Sequence, residues 1–132
     1  MSNWERATIA TALREREAEL TTWGRRSGKP ARITLWVWGD DTRLFIRSGG
    51  GLGRDWPQNL LARGRGILHL AGRDYPVRAR HVTDPAEARA CTGLVAAKYG
   101  AAVTRAADPD TLTPGETATF ELTPDLEGAA GA

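Results

Sequence analysis

The chain holds one cysteine, one methionine and only two lysines, Lys29 and Lys98, among its 132 residues. A lone thiol, Cys91, excludes an internal disulfide and any multi-cysteine metal site. With His69 and His81 as the two histidines, no metal-ligand spacing exists either. No apolar run approaches the roughly 20 residues that a membrane span requires. The start, Met1-Ser2-Asn3-Trp4-Glu5, lacks the basic-then-apolar layout of an export signal. These absences point to a cytoplasmic protein with no membrane partner and no metal.

What is present is ordinary for a folded chain: 41% hydrophobic and 26% charged residues, enough for one domain over residues 1–132. The net charge of +2 is unevenly spread. Between Leu20 and Arg54 lie Arg25, Arg26, Lys29, Arg32, Arg43, Arg47 and Arg54, opposed only by Asp40 and Asp41. Arginine suits phosphate or carboxylate recognition because its planar fork presents paired donors.

The spacing Ser2/Glu5 is a capping box, and the run after it predicts a helix over 4–17, within an N-terminal segment 1–18. Leu20–Trp23 predicts a short strand. Ile33–Trp38 and Thr42–Ser48 alternate in hydrophobicity and predict a hairpin turned at Asp40-Asp41. This register sets Val37 opposite Leu44, Trp36 opposite Phe45 and Leu35 opposite Ile46. It leaves an aromatic second face of Trp36, Trp38 and Phe45, which needs a partner subunit or a planar ligand to cover it. Residues 55–63 predict a short helix with Asp55 as N-cap and Pro57 in its first turn. A second hairpin follows, turned at Gly72-Arg73, with Leu70 opposite Tyr75 and Leu68 opposite Val77; Pro76 argues for an edge strand or a bulge. Asp84-Pro85-Ala86-Glu87 opens a helix that Gly100 stops. Residues 101–116 read as a loop, 117–122 as a last strand and 125–132 as a tail. The expected fold is mainly β (α+β): a six-stranded antiparallel barrel with flanking helices.

Two loops carry candidate chemistry. Gly24-Arg25-Arg26-Ser27-Gly28-Lys29-Pro30 gathers cations and a hydroxyl in one turn, which suits an anion as well as it suits a solvated hairpin loop. Its spacing is not that of a Walker P-loop. Ser48-Gly49-Gly50-Gly51-Leu52-Gly53-Arg54 offers backbone N–H groups ahead of a helix; a flexible connection is the plainer reading. Cys91 lies on the apolar stripe of its helix and reads as core, and His69 reads as structural or solvated. No hydrolytic constellation exists, so any catalysis must come from a bound cofactor. Nucleic acid is not an expected partner, because aromatics and cations do not share one stacking platform.

The ordered set Leu20 to Pro30, then Ser48-Gly49-Gly50, then Trp56 with Asn59-Leu60, resembles the deazaflavin-dependent nitroreductase family of the flavin-binding split β-barrels, relatives of the pyridoxamine phosphate oxidases. The resemblance covers about residues 20 to 83. It implies a split barrel, usually a homodimer, that binds a deazaflavin (coenzyme F-420) or FMN and passes a hydride to a small organic acceptor. It places Arg25 and Arg26 on the cofactor's phosphate, with Ser27 and Lys29 beside them. Ser48, Gly49 and Gly50 would line the cofactor, and Trp56 and Asn59 would brace that loop. Trp36, Arg47 and Arg54 complete the expected cofactor-binding set, and no residue is assigned a catalytic role. The alternative is a non-enzymatic split barrel holding a flavin, heme or another phosphate- or carboxylate-bearing ligand.

Overall fold

The structure is a computed structural model that describes residues 4–100 and 110–126. In chain order these residues form α1 (Arg6–Arg14), β1 (Ala18–Trp23), β2 (Pro30–Leu35), β3 (Trp38–Gly39), β4 (Leu44–Arg47) and α2 (Asp55–Arg63). Then come β5 (Arg65–Leu70), β6 (Arg73–His81), α3 (Pro85–Tyr99), α4 (Pro114–Thr117) and β7 (Thr119–Pro124). All strand pairs are antiparallel, in the order β2-β1-β5-β6-β7-β4-β3.

That order rolls the sheet up. The outer strands β2 and β3 lie at opposite edges, yet only Trp36 and Val37 separate them in sequence. Three Cα steps span at most about 11 Å, so the two edges must approach one another. The result is a split barrel, as the sequence predicts. It has seven strands rather than six because the predicted strand 33–38 bends across the seam at Trp36-Val37. Its first half pairs with β1 and its second half with β4.

Both predicted hairpins keep their parity but shift by two residues. Trp38 pairs with Phe45 and Gly39 with Leu44, and the loop is Asp41-Thr42, closed by the Asp40 N–H donating to the Arg43 carbonyl at 3.1 Å. Asp40 sets this turn: its carboxylate accepts from the N–H groups of Thr42 and Arg43 and from the Arg43 guanidinium. In the second hairpin Leu68 pairs with Tyr75 and Leu70 with Arg73, around Ala71-Gly72 at φ 50° and 80°. Two consecutive positive φ values match the twist of the flanking strands, and this outweighs the Gly72-Arg73 turn. Pro76 is not on an edge strand, since β6 lies between β5 and β7. It sits just past the last β6–β7 pair, Val77–Pro124, where its missing N–H breaks no ladder.

The helices depart from expectation at their ends. α1 is shorter than 4–17, with Glu5 as an N-cap that makes no side-chain bond; Ser2 lies outside the described residues. Arg54, not Asp55, is the N-cap of α2. Asp84 caps α3 as expected, its carboxylate accepting from the Ala86 N–H. Of the loop 101–116, residues 101–109 lie outside the described residues, and 114–117 form the one-turn α4. Its capping box joins Thr113 and Glu116. Residues 127–132 of the expected tail also lie outside.

One core, including Leu20, Val37, Leu44, Ile46, Leu68 and Phe120, fills the barrel. A second joins Trp38 and Phe45 to Ala88, Cys91 and Val95 of α3. The aromatic face is therefore covered within the chain, and neither a second subunit nor a ligand is needed for Trp38 and Phe45. Burying each is worth roughly 1.5–3 kcal/mol. No helix among the described residues is long and apolar enough to cross a membrane.

Candidate functional site

A cleft of about 530 Å³ opens where the barrel seam meets the loop after β4. Trp36 from the seam forms one wall, its ring stacked on Tyr99 with centroids 3.9 Å apart. Arg47, Ser48, Gly49 and Gly50 form the floor, and Arg54 and Trp56 the far end. The loop's course needs its glycines. Gly51 sits at φ +93°, where its N–H donates to the Ser48 carbonyl at 2.9 Å. A Cβ on Gly49 would meet no atom within 4 Å, so that glycine faces open space.

Two buried polar atoms on this cleft lack partners among the described residues: Ser48 Oγ and Trp38 Nε1. Ser48 is 3% exposed and Trp38 0%. Folding leaves few such groups without a compensating ligand or water.

Arg47 occupies the floor over the Trp38 ring, its guanidinium carbon 5.1 Å from the centroid. It donates to Thr119 Oγ1 (3.1 Å), Thr92 Oγ1 (3.1 Å) and the Ala88 carbonyl (3.4 Å). Burial holds its pKa below the ordinary arginine value. Thr92 in turn donates to Glu116 Oε2 at 2.6 Å. Glu116 is fully buried and also takes Arg89 at 2.8 Å and the Thr113 N–H at 2.8 Å. Burial pushes that carboxyl up, but Thr92, Thr113, Arg89 and Arg47 together hold it below the usual range.

The Arg25–Lys29 turn lies beside the cleft rather than in it. Arg25 donates its N–H to Asn59 Oδ1 (3.0 Å), and buried Asn59 donates to Thr22 Oγ1 (3.1 Å). The Arg25 guanidinium is 3.5 Å from Asp55. Ser27 turns its hydroxyl inward to accept from the Lys29 N–H (3.1 Å). Arg26 and Lys29 are exposed. Asp55 lies between Arg54 and Trp56, so the first turn of α2 joins the basic turn to the cleft. Asn59 thus braces the basic turn, while Trp56 packs toward Phe120 from the cleft side.

Cys91 is buried at the α3 core, and burial pushes its thiol up to about 11, well away from a reactive thiolate. His69 is tied between Asp74 and Thr21, both at 2.7 Å, on the outer face of the sheet. Its strand is internal, since β5 lies between β1 and β6. His81 bonds the Thr117 carbonyl. Among the described residues no group of His, Cys, Asp and Glu could hold a metal. Sequence reasoning missed Thr92, Arg89 and Glu116. Only Thr113-Pro114-Gly115-Glu116 carried a local signal, its capping-box spacing.

A sequence model described as F420H(2)-dependent quinone reductase matches residues 3–112. No curated protein matches the chain. Among solved structures, a reductase dependent on reduced F420 is similar at 21% identity and TM-score 0.60, over 82% of this chain and 94% of that one. A domain-swapped dimer is similar at 20% identity and TM-score 0.61, over 82% and 80%. A heme storage protein from Vibrio cholerae is similar at 13% identity and TM-score 0.66, over 92% and 89%. At such identities the structural likeness establishes the shared fold.

Proposed function

The chain belongs to the F420H(2)-dependent quinone reductase family, and on that premise we propose that it is a reductase moving a hydride from a bound deazaflavin to a small organic acceptor of quinone type. The observation that carries this reading is the pair of buried, unpartnered groups, Ser48 Oγ and Trp38 Nε1, on a cleft walled by Trp36.

The residues present fit such a cofactor. A planar ring suits a cleft with an indole wall and a glycine floor. Phosphate suits Arg25 and Arg26, exposed on the turn that Asp55 and Asn59 of α2 hold through Arg25. The fit to heme is poor: the described cleft lining contains no His, Cys, Met or Tyr to serve as axial ligand. FMN offers the same ring shape and a phosphate, and enters as the competing ligand in a titration.

When bound, a reduced deazaflavin supplies the hydride; the quinone gains it with one proton and leaves as hydroquinone. The chain's own part is to bind and orient. Trp36 and Gly49 bound the space in which two flat molecules could lie against each other. Ser48 Oγ, unpartnered at the floor, offers a donor to an oxygen atom there once its hydroxyl turns toward the cleft. Arg47 adds fixed positive charge at the floor, in a setting less screened than water. Arg25, Arg26 and Lys29 hold the anionic tail outside, braced by Asn59.

The same reading carries a homodimer as the working assembly, supported by the domain-swapped dimer among the structural likenesses. Sedimentation equilibrium tests that part separately. The reaction itself is tested by anaerobic mixing of protein, reduced deazaflavin and a quinone. Saturable loss of the reduced-cofactor signal is expected, and a rate no faster than without protein would defeat the proposal.

A further inference from the structure

Arg47 is a half-buried cation whose partners are all neutral oxygens: two threonine hydroxyls and one main-chain carbonyl. It forms no ion pair with any described residue. The nearest candidate, Glu116, is already committed to Arg89, Thr92 and the Thr113 N–H. One buried carboxylate therefore serves two guanidiniums, Arg89 directly and Arg47 only through Thr92. A guanidinium has five N–H donors; three are used here, so two are spare. Beyond that hydrogen-bonded link Glu116 acts on Arg47 through space, yet no anion among the described residues touches the guanidinium, and a half-buried cation gains from one that does.

The surroundings of Arg47 are those of an unfinished anion site. Ser48 Oγ and Trp38 Nε1, both buried and without a described partner, lie on the same cleft. Trp38 lies directly beneath the guanidinium. Glu17, the one carboxylate residue among the described cleft-lining residues, is exposed, so it does not neutralise the floor.

We propose that Arg47 is a specificity-determining residue that selects acceptors bearing a negative charge, so that a carboxylated quinone is preferred over a neutral one. The inference rests on the reductase reading of this cleft and deepens it by naming the substrate class. Arg47, which lines the cleft above the Trp38 ring, supplies the charge, and Ser48 at its side offers a neutral hydroxyl. Arg25 and Arg26 remain with the cofactor's phosphate.

The test compares a neutral alkyl naphthoquinone with its carboxyalkyl counterpart, using wild type, Arg47→Gln and Arg47→Lys. Two readouts are taken: kcat/KM with reduced deazaflavin, and equilibrium binding from tryptophan fluorescence. The carboxylated-to-neutral ratio should be about 10 or more in wild type and fall about tenfold in Arg47→Gln, the effect of roughly 1.4 kcal/mol. Arg47→Lys should lie between, because it keeps the charge without the fork. Where Arg47→Gln does not fold, Arg47→Lys and a salt series on wild type decide. Raising salt from about 50 mM to about 500 mM should shrink the ratio. A wild-type ratio near one, or a ratio unmoved by the substitutions and by salt, overturns the proposal. If neither quinone is reduced, the reductase reading fails, and the binding ratio still decides the role of Arg47. If the substitutions weaken deazaflavin binding and leave the quinone ratio alone, Arg47 belongs to the cofactor and the inference is wrong.

Discussion

Lys98 Nζ donates to the Val37 carbonyl at 2.6 Å, at the residue where the barrel seam turns from β2 into β3. The bend takes that carbonyl out of the strand ladders, and a buried carbonyl needs a partner. The same ammonium also serves the carbonyls of Ala12 and Glu15 at the end of α1. One side chain on α3 thus fastens the seam and α1 together. Lys98→Met keeps the aliphatic stem, takes the ammonium from the Ala12 and Glu15 carbonyls, and leaves the Val37 carbonyl with only the long 3.4 Å bond from the Tyr99 hydroxyl. It should lower stability by about 2–3 kcal/mol, read from the urea midpoint. A loss under about 0.5 kcal/mol would show that water replaces the ammonium freely.

The same clasp sets a pH dependence. Burial pulls the Lys98 pKa down to about 8 from the ordinary 10.5. Between these values the unfolded chain holds the proton that the folded chain has shed, so rising pH favours the folded state. This contribution is complete above about 10.5 and lost as pH falls to about 8. Burial pushes Tyr99 up to about 12 from 10.0, which acts oppositely: its contribution is lost as pH rises beyond 10. Thermal melts should show Tm rising between pH 8 and 10 relative to Lys98→Met, and levelling or falling above that. Parallel curves for the two proteins would contradict the assignment.

Cys91 should behave as packing rather than chemistry. It is 1% exposed, and its thiol is pushed up to about 11. Iodoacetamide at neutral pH should label it only as fast as the chain opens. Cys91→Ser should cost about 1–3 kcal/mol by burying an unserved hydroxyl. Rapid labelling under native conditions would contradict this.

Asp55 competes with any phosphate for Arg25, at 3.5 Å. Asp55→Asn should therefore tighten deazaflavin binding a few-fold. Arg25→Ala and Arg26→Ala should each weaken it about tenfold, the worth of one charge-assisted hydrogen bond. Stability should change little, since both arginines are exposed. Equal affinity in all three variants would remove the phosphate from this turn.

What the sequence made legible was local. Alternation told which side chains share a face: Val37, Leu44 and Ile46 lie in one core, Trp38 and Phe45 in the other. Register was not legible, because it depends on which dipeptide takes the turn, and Ala71-Gly72 and Asp41-Thr42 won by backbone twist and by the Asp40 carboxylate. The half of the cleft on Ser48–Trp56 is one contiguous stretch and could be read directly. The other half is assembled from distant segments: Val95 on α3, Thr113–Gly115 at the start of α4 and the seam at Trp36. No local pattern announces such a meeting. The cover over Trp38 and Phe45 was missed for the same reason, since α3 begins some 40 residues after Phe45.

The central claim, that the deazaflavin ring enters the cleft at Gly49, is tested most directly by filling that space from within. A Cβ at Gly49 meets no protein atom within 4 Å, so the backbone accepts a side chain there, and Gly49→Leu should fold like wild type while its longer branch occupies the ligand's place. Equilibrium titration with deazaflavin should then give affinity weakened by about 100-fold or more, roughly 2.7 kcal/mol, at an unchanged Tm. An unchanged Kd in Gly49→Leu would place the cofactor elsewhere and contradict the account.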